Sequence, residues 1–363
     1  IMKKNFEYLL DVYKYSLSKK DLFSDDRSIH WDKMFEKNEK FSNINNIENF
    51  RKNNNLSKGL DDSANLRNKL DLMNLLDDFN HHFLRRTLPE KNIGNSNYSK
   101  NILGYYVDYG IIHHLKWFEK IEKYISPEST ILEIGGGFGS LARIILKNKN
   151  AKYFLVDLPE ANLISNYYLQ NFFPEKRIFN FKDFKFGDLH KQIDNYDIFI
   201  LPPNVINKEN IKFDFIINAR SFMEMNKKTI KRYFELIQNK IKKNGFFLNI
   251  NKYSKSTVGE DINFYEYPYD AYWNVIISEE SYLQNNMLFL LTQRNNQAGR
   301  ILEELKNIKN NKKLKNKKNI LLQKIKLYVK RIILFTVKKF LISILGKKNI
   351  QKISKILMNF SNS

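Results

Sequence analysis

Apolar positions recur at three- and four-residue spacing along the first third of the chain. Phe6, Leu9, Leu10, Tyr13 and Leu17 form one series, and Leu66, Leu70, Met73, Leu76 and Phe79 another. That period predicts amphipathic helices. Between the two series, residues 38–58 are rich in Asn, Ser and Lys and read as a solvated connection. From residue 129 the texture changes. Short apolar runs at 130–134, 153–156, 178–181, 197–201, 213–218, 246–250 and 287–292 alternate with helical stretches, notably 140–146, 161–172 and 228–241. This alternation predicts a doubly wound α/β fold, a parallel sheet flanked by helices. The runs at 273–276 and 287–291 are placed to form a late antiparallel pair. Three regions follow: a helical N-terminal part, 1–125, serving as cap, substrate or oligomerisation element; an α/β domain, 126–296; and a tail, 297–363.

Composition sharpens this picture in two places. With no cysteine in 363 residues, a disulfide framework, a Cys-ligated zinc, an iron–sulfur cluster and a thiol nucleophile are all excluded. The formal charge of +22 arises from 61 Lys+Arg against 39 Asp+Glu, but it is not evenly spread. Residues 301–363 hold seventeen of the cations and only two acids, so the tail carries +15 (17 − 2) and the preceding 300 residues +7. Within 320–360, Lys324, Arg331 and Lys338 recur every seven residues on one stripe of an otherwise largely apolar helix. Two readings stand: a helix lying in an anionic bilayer surface, or a packed terminal helix with a solvated Lys face. The polar start, Ile1-Met2-Lys3-Lys4, and the lack of about eighteen consecutive apolar residues lead to the expectation of a cytoplasmic protein. Binding of the tail to lipid would make it peripheral at the inner face of the membrane.

The most informative segment is Ile131-Leu132-Glu133-Ile134-Gly135-Gly136-Gly137-Phe138-Gly139-Ser140. An apolar strand runs into four glycines within five residues and then into a helix, where the backbone must turn tightly and let a ligand lie against it. A dinucleotide fingerprint wants Gly or Ala at the sixth position counted from Gly135, and Ser140 stands there. The spacing Glu133-x-Gly135-x-Gly137-x-Gly139 instead resembles the E/D-x-G-x-G-x-G loop of S-adenosylmethionine-dependent methyltransferases. In that resemblance Gly135, Gly136, Gly137 and Gly139 lie against the methionine and ribose portions, and Glu133 faces the ammonium group. A second strand ends at Val156-Asp157-Leu158-Pro159, with Asp157 eighteen residues after Gly139. A carboxylate there is suited to accept hydrogen bonds from both ribose hydroxyls, with Leu158 beside it. Asp183, after the third expected strand, reads either as a partner for the adenine amino group or as a solvated surface residue. The run 197–205 offers a competing register for that strand.

The strand 213–218 leads into Asn218-Ala219-Arg220-Ser221-Phe222-Met223-Glu224, a polar cluster at a carboxyl end, where open α/β sheets bind ligands. Together with the glycine loop, Val-Asp-Leu-Pro-Glu at 156–160, Asp-Ala-Tyr-Trp-Asn at 270–274 and Leu-Thr-Gln-Arg at 291–294, this segment resembles the bacterial sugar O-methyltransferase family, within the class I methyltransferases, over residues 90–296. The resemblance implies a Rossmann-like sheet, S-adenosylmethionine as cofactor, and methylation of a sugar hydroxyl in surface-polysaccharide or glycan assembly. The sugar would be nucleotide-linked, lipid-linked or polymeric.

A sugar hydroxyl is a poor nucleophile near neutrality, so a positioned base is needed. Glu224 is the first candidate for base or orienting group, with Arg220 as partner for an acidic or phosphorylated sugar. Alternatively Glu224 is a helix-start acid and the two simply pair. His114, of the pair His113-His114, is a further candidate for base or cofactor cap, against the reading of a core-edge histidine. Asn218 is expected at the cofactor. The aromatic and acidic run at 264–270 lines a sugar pocket or forms a buried loop. His81-His82 beside Asp77-Asp78 does not make a metal site by helical geometry, and none is expected. Nucleic acid is not expected as substrate, because the charge is segregated in the tail and Leu201-Pro202-Pro203-Asn204 only loosely echoes an N-P-P-Y motif. A nucleic-acid methyltransferase using the tail, or a non-catalytic scaffold that keeps the fold, are the rival functions. Oligomerisation is left open.

Overall fold

The computed structural model of the chain describes residues 2–35, 38–52, 68–256, 258–284 and 286–311. The expected tail helix at 320–360, Leu66, and residues 53–58 of the connection lie outside the described residues. One compact unit comprises Ile1–Asn307; the second, Ile308–Ser363, is described only as far as Asn311.

Eight strands build the main sheet. They are β1 (Thr130–Ile134), β2 (Lys152–Val156), β3 (Ile178–Asn180), β4 (Ile198–Leu201), β5 (Phe213–Ala219), β6 (Ile241–Lys252), β7 (Trp273–Glu280) and β8 (Met287–Arg294). Their order across the sheet is β7-β8-β6-β5-β1-β2-β4-β3. Strands β1 to β6 run parallel, in registers such as Glu133 opposite Leu155 and Leu155 opposite Ile200. β8 is antiparallel to both β6 and β7, forming the late antiparallel pair expected from the sequence. The central strands are apolar on both faces because helices cover both: Ile131, Phe154, Phe199, Phe213 and Ile216 are all fully buried. Phe154 and Phe199 stack at 4.2 Å across β2 and β4, worth about 0.5–1.5 kcal/mol beyond their burial.

The order of β3 and β4 in the sheet reverses their order in the chain. Ile198, Phe199, Ile200 and Leu201 are buried throughout and take the place beside β2. The three-residue β3 is left at the edge, pairing only with β4. This reversal moves everything that follows β3 one strand away from the centre.

The helices that matter for the site are α1 (Met2–Ser18), α2 (Ile29–Phe35), α3 (Tyr109–Ile121), α4 (Ser140–Asn148), α5 (Pro159–Phe172) and α6 (Lys227–Lys240). Asp108 caps α3 by accepting from the Ile111 amide at 3.0 Å, and it is itself held by Arg51 at 2.7 Å in a buried ion pair. Breaking such a pair costs about 3–5 kcal/mol. Arg51 belongs to the stretch expected to be a solvated connection. The described part of that stretch instead folds into short turns, Asn38–Ser42 and Ile44–Glu48, with Phe41, Ile47 and Phe50 buried. Phe41 packs against Tyr13 and Phe35, and Phe50 against Phe138 and Tyr168, anchors that the Asn- and Lys-rich composition conceals. Among the described residues no helix is long and apolar enough to cross a membrane.

Candidate functional site

The chain leaves β1 through a turn in which Gly135, Gly137 and Gly139 all have positive φ, at 74°, 57° and 87°. At Gly135 the need for glycine has a second cause. A Cβ there would lie 2.1 Å from Ser221 Oγ, so the loops that follow β1 and β5 press against each other. Asp157, at the end of β2, closes the turn from the other side. Its Oδ2 accepts from the Gly137 amide at 2.9 Å and its Oδ1 from the Leu158 amide at 2.7 Å.

Two carboxyls beneath this turn are driven away from their ordinary state. Glu133 is buried and accepts from the Tyr153 hydroxyl at 2.8 Å. Burial pushes its carboxyl up to about 8, with nearby Asp157 adding to the rise and the Tyr153 bond opposing it. Burial likewise pushes Asp157 up to about 7, against the pull of its two amide donors and with Glu160 and Glu224 adding to the rise. Both groups line one cleft of about 890 Å3, counting its open mouth.

That cleft gathers most of the residues singled out from the sequence. The four glycines are reached through Gly135, Gly136 and Gly137, with Gly139 capping α4 just behind them. Leu158, Arg220, Glu224 and His114 also line it. Arg220 sits at φ 65°, a left-handed conformation unusual for a side chain with a Cβ, and its amide donates to the Ile250 carbonyl at 2.6 Å. Glu224 is buried and pairs with Lys255 at 2.7 Å, a partner thirty-one residues downstream. His114 meets Ser140 Oγ through Nδ1 at 2.9 Å and turns its ring edgewise to Trp117 at 4.9 Å.

Two candidates, Asp183 and Asn218, are not brought to the cleft wall. Asp183 follows the edge strand β3 and accepts from the Tyr8 hydroxyl of α1 at 2.8 Å, because β4 occupies the place beside β2. Asn218 is fully buried below the cleft. It donates to the Ile134 carbonyl at 2.9 Å and accepts from the Phe222 amide at 3.1 Å and from Asn251 at 2.9 Å, stapling β5 to β1. His113 packs inside, edge-on to Tyr109 at 4.4 Å. The aromatic run at 264–270 takes the buried-loop alternative: Phe264, Tyr267 and Tyr269 are buried, with Tyr267 against Phe222 and Phe234.

The structure adds residues that sequence reasoning missed. Asp26 and Trp31 reach the cleft from the N-terminal part, and Pro203 and Tyr233 complete its far side. Asp26 gave no local signal, since it sits in the polar run Ser24-Asp25-Asp26-Arg27 and its partners are distant. It accepts from Arg232 at 2.5 Å and from Asn204 at 3.3 Å. Burial raises its carboxyl, and Arg232 opposes the rise. The described residues lining the cleft thus include four carboxylates, Asp26, Glu133, Asp157 and Glu224, against one guanidinium, Arg220. Two of these carboxyls are paired, Asp26 with Arg232 and Glu224 with Lys255, and burial raises the other two, Glu133 to about 8 and Asp157 to about 7.

No family model and no curated protein matches the chain. Among solved structures, part of it is similar to the mitomycin 7-O-methyltransferase MmcR, at 15% identity over 51% of this chain and 55% of that one, with a TM-score of 0.36. It is also similar to a methyltransferase from Pyrococcus furiosus, at 12% identity over 50% of this chain and 83% of that one, with a TM-score of 0.34. A third is the tRNA m1G37 methyltransferase of M. jannaschii, at 16% identity over 55% of this chain and 57% of that one, with a TM-score of 0.33.

Proposed function

We propose that the chain is an S-adenosylmethionine-dependent O-methyltransferase whose acceptor is a sugar hydroxyl, in surface-polysaccharide or glycan assembly. The observation that carries the cofactor assignment is the glycine turn closed over the buried carboxyl of Glu133 and the half-buried one of Asp157, in a cleft at the carboxyl ends of β1 and β2. The donor set suits the cofactor's chemistry. Asp157 has acceptor capacity for vicinal hydroxyls, and Glu133 suits an ammonium group. Leu158 supplies an apolar wall, and the turn at Gly135, Gly136 and Gly137 removes side chains from the floor. When bound, S-adenosylmethionine would supply a methyl group on a sulfonium for transfer to the acceptor oxygen.

The acceptor side falls to the loop after β5. Glu224 is the candidate to take the hydroxyl proton at a carboxylate oxygen, and Lys255 holds that carboxylate in place. Arg220, fixed by its left-handed turn, and His114, fixed by Ser140, are candidates to orient the acceptor. The sugar assignment rests on the sequence resemblance. A membrane-bound acceptor would also suit the basic tail, whose sequence pattern fits an anionic surface.

Calorimetric titration with S-adenosylhomocysteine, with NAD as control, tests the cofactor reading. Saturable binding of the former alone, lost in Asp157→Ala, is the expected result. Methyl transfer from the cofactor to a panel of nucleotide- and lipid-linked sugars, run beside RNA, then tests the acceptor. Turnover of RNA in preference to every sugar would overturn the sugar reading.

A further inference from the structure

We infer that the N-terminal segment 22–35, which lies outside the sheet in sequence, is a wall of the cofactor pocket, and that Trp31 is the stacking face for the adenine ring. The inference rests on the cofactor reading above and goes beyond it by naming what recognises the base.

The segment is fastened at three points to the chain that leaves β2, β4 and β5. After β2, Arg27 donates to both carboxylate oxygens of Glu160, in the first turn of α5, at 2.6 Å. After β4, the Asn204 amide donates to the Leu22 carbonyl at 3.1 Å, and the Asn204 side chain donates to Asp26 at 3.3 Å. On α6, which follows β5, Arg232 donates to Asp26 at 2.5 Å and the Thr229 hydroxyl donates to the Asp25 carbonyl at 2.8 Å. The segment therefore crosses the carboxyl edge of the sheet, beside the two stretches that hold Leu158 and Pro203 in the cleft wall.

If Asp157 marks the ribose, the base extends toward those same two stretches. In the third-strand position, where an acidic residue was expected against the adenine amino group, the structure has β4, and Asp183 is engaged with Tyr8 elsewhere. Asp26 is the acid that this segment brings to the cleft, and its carboxylate is already held by Arg232 and Asn204, which makes it a positioning residue. What remains for a planar base is an aromatic face. Trp31 lines the cleft four residues after Arg27. Its ring stacks on Phe35 at 5.2 Å, and Phe35 in turn lies under the Arg27 guanidinium at 5.7 Å, so the indole is braced from behind. A braced indole binds a base by stacking without selecting its edge.

The test is calorimetric titration of the full chain with S-adenosylhomocysteine and, separately, with adenosine. Trp31→Ala is expected to weaken both by a similar factor, about ten- to a hundredfold, and Trp31→Phe to keep most of the affinity. Tryptophan fluorescence gives an independent readout. Trp117→Phe, which leaves Trp31 and the buried Trp273, should still be quenched by S-adenosylhomocysteine, whereas the double variant Trp31→Phe/Trp117→Phe should not. Should Trp31→Ala fail to fold, Trp31→Leu, with bulk but no π face, replaces it. Unchanged affinity for both ligands in these variants would overturn the inference and leave the cofactor reading standing. A loss for S-adenosylhomocysteine without a loss for adenosine would also overturn it, by placing Trp31 on the amino-acid half. No binding to the unaltered chain would overturn both readings.

Discussion

The main-chain N–H of Gly137 donates to Asp157 Oδ2 at 2.9 Å, so the carboxylate proposed to hold the ribose also holds the glycine turn that shapes its pocket. The other oxygen takes the Leu158 amide at 2.7 Å, which fixes the exit from β2 as well. Removing the carboxylate therefore acts twice. Asp157→Ala should lower stability by about 1–3 kcal/mol, the cost of leaving partly buried amides without their acceptor. It should also weaken S-adenosylhomocysteine by more than that loss alone accounts for. Asp157→Asn keeps one acceptor oxygen and should recover part of the stability but little of the affinity. Thermal melts and calorimetry on the same samples separate the two effects.

Proton linkage gives a second prediction. Burial holds Glu133 at about 8 and Asp157 at about 7, both above the ordinary carboxylate values of about 4. The folded chain thus retains protons that the unfolded chain has released. The stability these two groups contribute is full below the ordinary values and is lost as pH rises through about 7 to 8. Ligand binding has the opposite sign, because the charged carboxylates are the forms that hold an ammonium and two hydroxyls. Affinity for S-adenosylhomocysteine should rise between pH 6 and pH 8, with proton release visible in buffers of different ionisation heat. Tyr153→Phe, which removes the bond opposing the rise at Glu133, should move that profile to higher pH. An affinity flat across this range, with no proton release, would contradict the linkage.

How much of this was legible beforehand follows the range of the interactions. The strands from β1 to β8, the glycine turn, Asp157 and the late antiparallel pair all follow from local apolar runs and turn residues, which the sequence displays directly. Sheet order is not local. The run at 197–205 competes with 178–181 for the place beside β2, the local pattern does not decide between the two, and the misplacement of Asp183 follows from that single reversal. The same holds for Glu224, whose partner Lys255 lies on a different element, and for Asp26, whose partners Asn204 and Arg232 are each more than 170 residues away. Asn218 reads as a ligand residue because it ends a strand, yet its amide is spent on Ile134, Phe222 and Asn251. A polar residue at a strand end serves the ligand or the backbone, and only three-dimensional neighbours decide which.

Glu224 and Lys255 supply a third prediction. Glu224→Gln keeps the shape and removes the charge, so turnover should fall by about a hundredfold or more while S-adenosylhomocysteine affinity stays nearly constant. Lys255→Met should leave a buried carboxylate without its counter-charge and destabilise the chain more than Glu224→Gln does. Equal loss of cofactor affinity in Glu224→Gln and Asp157→Ala would remove Glu224 from the acceptor side. The comparison uses the KM and kcat of whichever sugar turns over.

The contact between Gly135 and Ser221 supplies the fourth. A Cβ added at Gly135 would meet Ser221 Oγ at 2.1 Å and Ser221 Cβ at 2.4 Å, and the residue sits at φ 74°. Gly135→Ala therefore carries two penalties: about 1–2 kcal/mol for a Cβ in the left-handed region, and about 1–3 kcal/mol for overpacking against Ser221. Only the second depends on Ser221. Ser221→Gly deletes both clashing atoms, so the double variant should regain the overpacking part and keep the backbone part, giving a coupling of about 0.5–3 kcal/mol in a double-mutant cycle. Strict additivity would mean that the loops after β1 and β5 move apart to admit the methyl group. In that event S-adenosylhomocysteine affinity should fall in Gly135→Ala without recovering in the double variant, because the turn itself would have shifted.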